Sequence, residues 1–367
     1  MRDTPFITPP LSIVLDLVRA LAALAVLIGH AKQLGHYSGP YPFGLAFQHN
    51  AVVVFFVLSG LVIAASVDRA RAAGREQTLP GYALARAARI LPVALPALAI
   101  SLAVMLIDAA ITPTPIFGED ATGVPASEWL FALTFLSESY QTGFAPNPPY
   151  WSLCYEMWFY ALFAVATFMT GWKRLAWLAV LALVAGPNVL LMLPIWLVGV
   201  ALARLPIARR VPFWLGLAFV AVALASLFVM PQFSRPVYRA IHQVVPWRMG
   251  FSIFAPTDFA LALTMALGFA GLRSLTLGGG HWIERAEKPI RYAANMSFSL
   301  YLLHWPLLKL LRVLRAPENG ALGFLVVLGI VVAASAAFAT LTEHHKGRIR
   351  TLLDRAFGGR RDVPATA

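Results

Sequence analysis

Runs of about 20 apolar residues separated by short polar connections set the pattern of this chain, and a helix of that length crosses the roughly 30 Å hydrocarbon core of a bilayer. The runs are Leu11 to His30, His49 to Val67, Ile90 to Ala110, Tyr150 to Thr170, Leu175 to Gly186, Val189 to Leu205, Pro212 to Met230, Pro256 to Leu272, Tyr292 to Arg312 and Ala321 to Leu341. They predict an all-α fold: a polytopic membrane helix bundle of about ten transmembrane helices. Between Leu175 and Leu205 the chain is long for one crossing and short for two. Pro187 and Pro194 mark a hairpin of short or tilted helices there. The largest connections on the face away from the basic loops are 113 to 148 and 231 to 255.

Composition agrees with this class. Of 367 residues, 59% are hydrophobic and 13% charged, with mean hydropathy +0.72, which excludes an ordinary soluble domain. The net charge of +12 is a matter of topology, so no nucleic-acid partner is called for. With a cytoplasmic N-terminus and two crossings between 175 and 205, 21 of the 29 Lys and Arg fall inside and seven outside. One crossing there would divide them evenly. The asymmetry places both termini in the cytoplasm. The expected organisation is one integral membrane domain over 1–345 and a basic tail over 346–367, which would be held to anionic lipid. The first run carries charge and lacks a small-residue cleavage site, so it is expected to stay as a helix. A single cysteine, Cys154, excludes a disulfide within the chain.

Chemistry-bearing residues sit where lipid would reject them. In the first run Asp16, Arg19 and His30 fall within an arc of roughly 60°, with Arg19 and His30 about 16 Å apart along the axis. Ionisable groups in a span face a protein interior or a water-filled path, although Asp16 and Arg19 could also be a simple i,i+3 pair with His30 interfacial. The fourth run opens Tyr150-Trp151-Ser152-Leu153-Cys154-Tyr155-Glu156 and places Glu156 and Tyr160 on one face. Glu156 reads equally as a catalytic carboxyl and as a structural partner of Arg19. The ninth run puts Ser297, Tyr301 and His304 on one stripe. Arg86 and Arg89, spaced i,i+3 where the third run begins, form a forked cationic pair suited to phosphate, on a ligand or on a lipid headgroup. In the connection 113 to 148, Glu119, Asp120, Glu128 and Glu138 occur without Lys or Arg, and they either shape an outer site or are simply solvated. No spacing suited to a metal occurs within a span.

Five motifs in order resemble the acyltransferase-3 family of bacterial integral-membrane O-acyltransferases, especially members that acetylate exopolysaccharide and lipopolysaccharide sugars. They are Arg19 with His30, the Val54-to-Gly60 run ending in Ser59, the Arg86-to-Pro92 run with Arg89, Trp151 to Glu156 with Phe159 and Tyr160, and the Ser299-to-Pro306 run with Tyr301 and His304. The resemblance implies a base or acyl relay at His30, an Arg19 that orients the thioester or a neighbouring carboxylate, and a supporting Glu156. It also implies binding of the phosphates of acetyl-CoA, or another acyl-CoA, by Arg86 and Arg89, with no metal. Asp16, Ser59, Trp151, Tyr160, Tyr301 and His304 would line the substrate site. The implied acceptor is a glycan or lipid-linked saccharide, and the implied location is the bacterial inner membrane. Two departures stand out: Met157, where many members carry a second acidic residue, and Glu343-His344-His345, where a Glu-Pro pair is commoner. The competing classes are a transporter or flippase for a lipid-linked saccharide, since intramembrane charge also lines permeation paths, and a structural subunit of an export complex.

Overall fold

Thr8 and the two prolines after it start the first helix. The Thr8 hydroxyl accepts from the Leu11 amide at 3.4 Å, and Pro9 and Pro10 occupy positions whose N–H groups would have no helical partner. The computed structural model describes residues 5–41, 47–75, 77–112, 124–139, 143–245, 247–277, 281–315 and 320–342. Its helices are α1 (Pro9–Gln33), α2 (Phe47–Ala72), α3 (Leu79–Ile111), α4 (Ala126–Leu133), α5 (Trp151–Phe168), α6 (Gly171–Arg204), α7 (Phe213–Val244), α8 (Ala255–Leu277), α9 (His281–Glu284), α10 (Glu287–Val313) and α11 (Ala321–Thr342). No strand occurs among the described residues. The tail 346–367, Glu343 to His345, Glu119 and Asp120 lie outside them.

Seven of these helices are long and apolar enough to cross a membrane, with Gly250–Leu277 counted as one. The helices α5 and α10 are not in that set, because they carry the polar residues that single out the fourth and ninth runs. Large apolar side chains cover the outer helices: Leu183 is 82% exposed, Trp214 77% and Leu322 77%. Such a surface belongs to a bundle solvated by lipid.

Two boundaries differ from the hydropathy reading. The connection expected over 231 to 255 is helical as far as Val244, because α7 runs on through Pro231 and Pro236. Prolines are tolerated in such helices where neighbouring groups make up for the lost backbone bond. At its other end α3 begins at Leu79, capped by Thr78, so Arg86 and Arg89 lie within a formed helix.

The stretch expected to hold two short helices does so: it breaks at Gly186, where the first run was expected to end, and the φ of 77° and ψ of 171° there divide α6 into two arms. Glycine alone reaches that backbone region without strain. The kink lies beside the Ser139 backbone. Arg204, at the far end of the second arm, forks onto Asp68 of α2 at 2.9 and 3.1 Å, while the Phe168 ring, just before the first arm, packs at a tilt against Tyr82 of α3. Both arms therefore run between the arginine-rich end of the bundle and the end holding Ser139.

Helix α2 lies at the centre, against α1, α6 and α8. Its contact with the second arm of α6 is a reciprocal glycine seam: a Cβ on Gly60 would overlap the Trp196 carbonyl, and one on Gly199 the Val57 carbonyl. Small residues at such crossings let two backbones touch. Gly216 and Gly271 bring α7 and α8 together in the same way.

Candidate active site

Helices α1, α2, α3, α5 and α10 enclose a cavity that, with its mouth, holds about 850 Å³. Arg19, Arg86 and Arg89 line it together with Ser59, Glu156, Tyr160 and Tyr301. A second cavity, bordered by Asp16, Arg19, Arg69 and Arg89, continues toward the arginine-rich end. Arg69 of α2 thus stands with Arg19 and Arg89 in one basic wall.

The acidic floor is tightly bonded. Glu156 Oε1 accepts from the Ser59 hydroxyl and the Tyr160 hydroxyl, each at 2.5 Å, and the Trp196 indole N–H donates to Ser59 Oγ at 3.3 Å. Of the two readings of Glu156, partnership with Arg19 is not what the bonds show. Arg19 Nη1 donates instead to Asp16 Oδ1 at 3.0 Å. The other oxygen of Asp16 takes a bond of 2.7 Å from Arg291 Nη1, and Arg291 Nε reaches Glu287 at 2.7 Å. Sequence reading missed Arg291. The i,i+4 spacing of Glu287 and Arg291 at the start of the ninth run was the available signal.

Arg86 is poised differently. Its guanidinium lies 5.7 Å from the Tyr82 ring and 5.9 Å from the Tyr160 ring, and its buried Nε has no hydrogen-bond partner. A buried donor without an acceptor is rare, because it loses its hydration without replacement. An anion bound in the cavity would supply the missing acceptor, so the residues present fit a phosphate-bearing ligand.

His30 and His304 meet farther along α1 and α10. His30 Nδ1 lies 2.9 Å from His304 Nε2, and His304 Nδ1 lies 3.2 Å from the Leu300 carbonyl. A carbonyl only accepts, so His304 carries its proton on Nδ1 and offers a lone pair at Nε2. His30 must then donate through its own Nδ1, which leaves His30 Nε2 as a lone pair. Trp305 packs edge-on against the His30 ring at 5.2 Å. The two imidazoles do not line the cavity. Tyr301, one turn before His304, does, and its hydroxyl donates to the Pro149 carbonyl at 3.1 Å and lies 2.6 Å from Ser152 Oγ.

Pro306 shapes this part of α10. Having no N–H, it leaves the Leu302 carbonyl without a helical donor. The Asn147 amide fills the gap at 2.9 Å, tying the segment before α5 to the turn that carries His304.

Trp151 also stands outside the cavity. It is 6% exposed and stacks on Phe251 at 4.3 Å and near His49 at 5.7 Å. His49 Nε2 in turn lies 2.8 and 3.0 Å from the two oxygens of Asp258. Neither His49 nor Asp258 was singled out from sequence, where each is one polar residue at the edge of an apolar run. The described residues contain no cluster of three or more side chains able to hold a metal.

No curated protein and no solved structure matches this chain. A family model does: the acyltransferase domain of the acyltransferase-3 family matches residues 13–340. That span takes in most of α1, every helix from α2 to α10 and nearly all of α11. The chain is a multi-pass membrane protein of the acyltransferase-3 family, and its activity is acyl transfer.

Proposed function

We propose that the protein moves an acetyl group from cytoplasmic acetyl-CoA to a sugar hydroxyl of an envelope or extracellular glycan, at the inner membrane of a bacterium. The observation that carries this reading is the basic cavity, with its unpartnered Arg86 Nε, standing at one end of a helix whose other end holds a histidine with a lone pair. By the distribution of Lys and Arg the arginine-rich end faces the cytoplasm, where acyl-CoA is made. Arg86 and Arg89 take the donor's phosphates, and Arg19, in the same cavity wall, orients the donor so that its acyl end points toward His30. His30 Nε2 accepts the proton of the sugar hydroxyl as its oxygen attacks the thioester carbonyl. The carbon–sulfur bond breaks, and the departing thiolate takes the proton from the imidazolium. Ser59, Glu156, Tyr160 and Tyr301 shape the space between.

The test is glycan O-acetylation, read by NMR in a strain lacking the protein and complemented with wild type, His30→Ala or Arg86→Ala at matched membrane levels. Wild type alone should restore the acetyl signals. Equal restoration by all three would remove His30 and Arg86 from the chemistry. Unchanged acetylation with altered glycan export would replace this reading with transport of a lipid-linked saccharide.

A further inference from the structure

The His49–Asp258 pair has no place in the mechanism above, yet it is the kind of group that a membrane bundle does not keep without use. Asp258 is 2% exposed, and both of its oxygens lie on one imidazole nitrogen. As a fastener between α2 and α8 such a pair is poorly suited, since apolar side chains of the same volume hold two helices without the desolvation cost.

Its position points elsewhere. A Cβ at Gly29 would overlap the Gln48 side chain, so the residues just before His30 and His49 touch, and the two histidines stand at one level of the bundle. One turn along α2 from His49, Val52 lines the arginine cavity, and Ser152, next to Trp151, lines it too. His49 therefore stands just past the end of the cavity opposite the arginines. The carboxylate fixes its tautomer: the proton is on Nε2, and Nδ1 presents a lone pair. The exposure left to the pair belongs to the imidazole, whose side chain is 16% accessible against 3% for Asp258. Beside it Phe251, 36% exposed, stacks on Trp151. A fixed hydrogen-bond acceptor next to an aromatic face suits a ligand whose ring carries hydroxyls at its edge and an apolar C–H face, which is a saccharide.

We infer that His49, held by Asp258, is a hydroxyl-binding group of the acceptor site: Nδ1 takes a hydrogen bond from a second hydroxyl of the sugar whose neighbour is acylated. This rests on the acetyl-transfer reading above. Asp258 acts through His49 and is a positioning residue.

The experiment uses the full-length protein in detergent, with acetyl-CoA as donor and, as acceptor, envelope glycan isolated from a strain lacking the protein. Replacing His49 alone strands a buried carboxylate, so the main variant is His49→Phe combined with Asp258→Asn, which keeps a ring against Trp151 and removes the charge. The expected result is at least a ten-fold rise in the glycan concentration for half-maximal transfer, with the acetyl-CoA dependence within two-fold of wild type and an unchanged thermal midpoint. Asp258→Asn alone should give a smaller rise. Wild-type glycan dependence in the double variant would overturn the inference. So would a fall in thermal midpoint accompanied by equal losses toward both substrates, the mark of a fastener only. If wild type consumes acetyl-CoA but acetylates no glycan, the acetyl-transfer reading itself fails and takes the inference with it.

Discussion

Arg19 and Arg291 divide one carboxylate, that of Asp16, with bonds of 3.0 and 2.7 Å to its two oxygens. Arg19 lines both cavities, whereas Arg291 lines neither. By holding one oxygen, Arg291 keeps Asp16 from closing fully on Arg19 and leaves Arg19 donors for a ligand. Arg291→Gln should therefore raise the donor KM about three- to ten-fold, on the scale of about 1 kcal/mol for one charged hydrogen bond in a partly exposed network. Its kcat should change less. Steady-state kinetics at varied acyl-CoA concentration measure both, and an unchanged KM would show that the Asp16–Arg291 bond only joins α1 to α10.

The two-imidazole chain makes a graded prediction. His30→Ala removes the group with the available lone pair and should lower turnover by about 10²- to 10⁴-fold. His304→Phe keeps a ring but removes the acceptor of the His30 Nδ1 proton. It should cost about 10- to 100-fold, as the loss of a group that orients another does. Single-turnover rates with bound acyl-CoA separate the two, and equal effects would mean that both rings act directly.

Removing the carboxyl of Glu156 takes the acceptor from two hydroxyls that are left only each other, 3.1 Å apart. Glu156→Ala should destabilise the protein by about 1–3 kcal/mol, because Ser59 and Tyr160 lose their shared buried acceptor. Glu156→Gln keeps an acceptor oxygen and should be milder. Thermal midpoints of the purified variants in one detergent test the order.

Gly60→Ala and Gly199→Ala should each be poorly tolerated, since the added methyl meets backbone carbonyl on the partner helix. Neither α2 nor α6 can move a carbonyl aside as a side chain would rotate, so a loss of about 1–3 kcal/mol is expected. Yield of monodisperse protein and thermal midpoint report it. Gly329→Ala, at a position with nothing within 4 Å, is the matched control.

Glu138, in the connection before α5 and outside the spanning helices, gives a pH dependence. Burial pushes its carboxyl up to about 7, against a weaker lowering by the Tyr155 hydroxyl, which donates to it at 3.2 Å. The folded protein thus keeps a proton that an unfolded glutamate gives up near 4.5. The stability from this group is complete below about 4.5 and is lost as pH rises through about 7, with a ceiling of about 3 kcal/mol. Thermal midpoints should fall between pH 5 and 8 in wild type and fall less in Glu138→Gln.

What could be read before the fold was known lay within single helices. Arg19 and His30 share a face because helical periodicity alone puts them there, and the same holds for Ser297, Tyr301 and His304. Pairings across helices left no such trace. Arg291 reaches Asp16 over 275 positions and His49 reaches Asp258 over 209, and no local pattern links residues that far apart. The break at Gly186 was legible as well, because the apolar run ends at that glycine and a proline follows it. The helical stretch of α7 past Pro231 was read as a loop, because local propensity was taken as decisive where packing decides.

The polarity of α5 and α10 has a consequence for biogenesis. A segment bearing Arg291, His304, Lys309 and Arg312 partitions poorly into lipid by itself, and Glu156 burdens α5 in the same way. Their polar groups are matched by Asp16 and His30 on α1 and by Ser59 on α2, helices that leave the ribosome first. Retention of α10 in the bilayer and assembly of the site are therefore one event. A substitution at Asp16 or His30 should show itself in how much protein the membrane accumulates as well as in turnover.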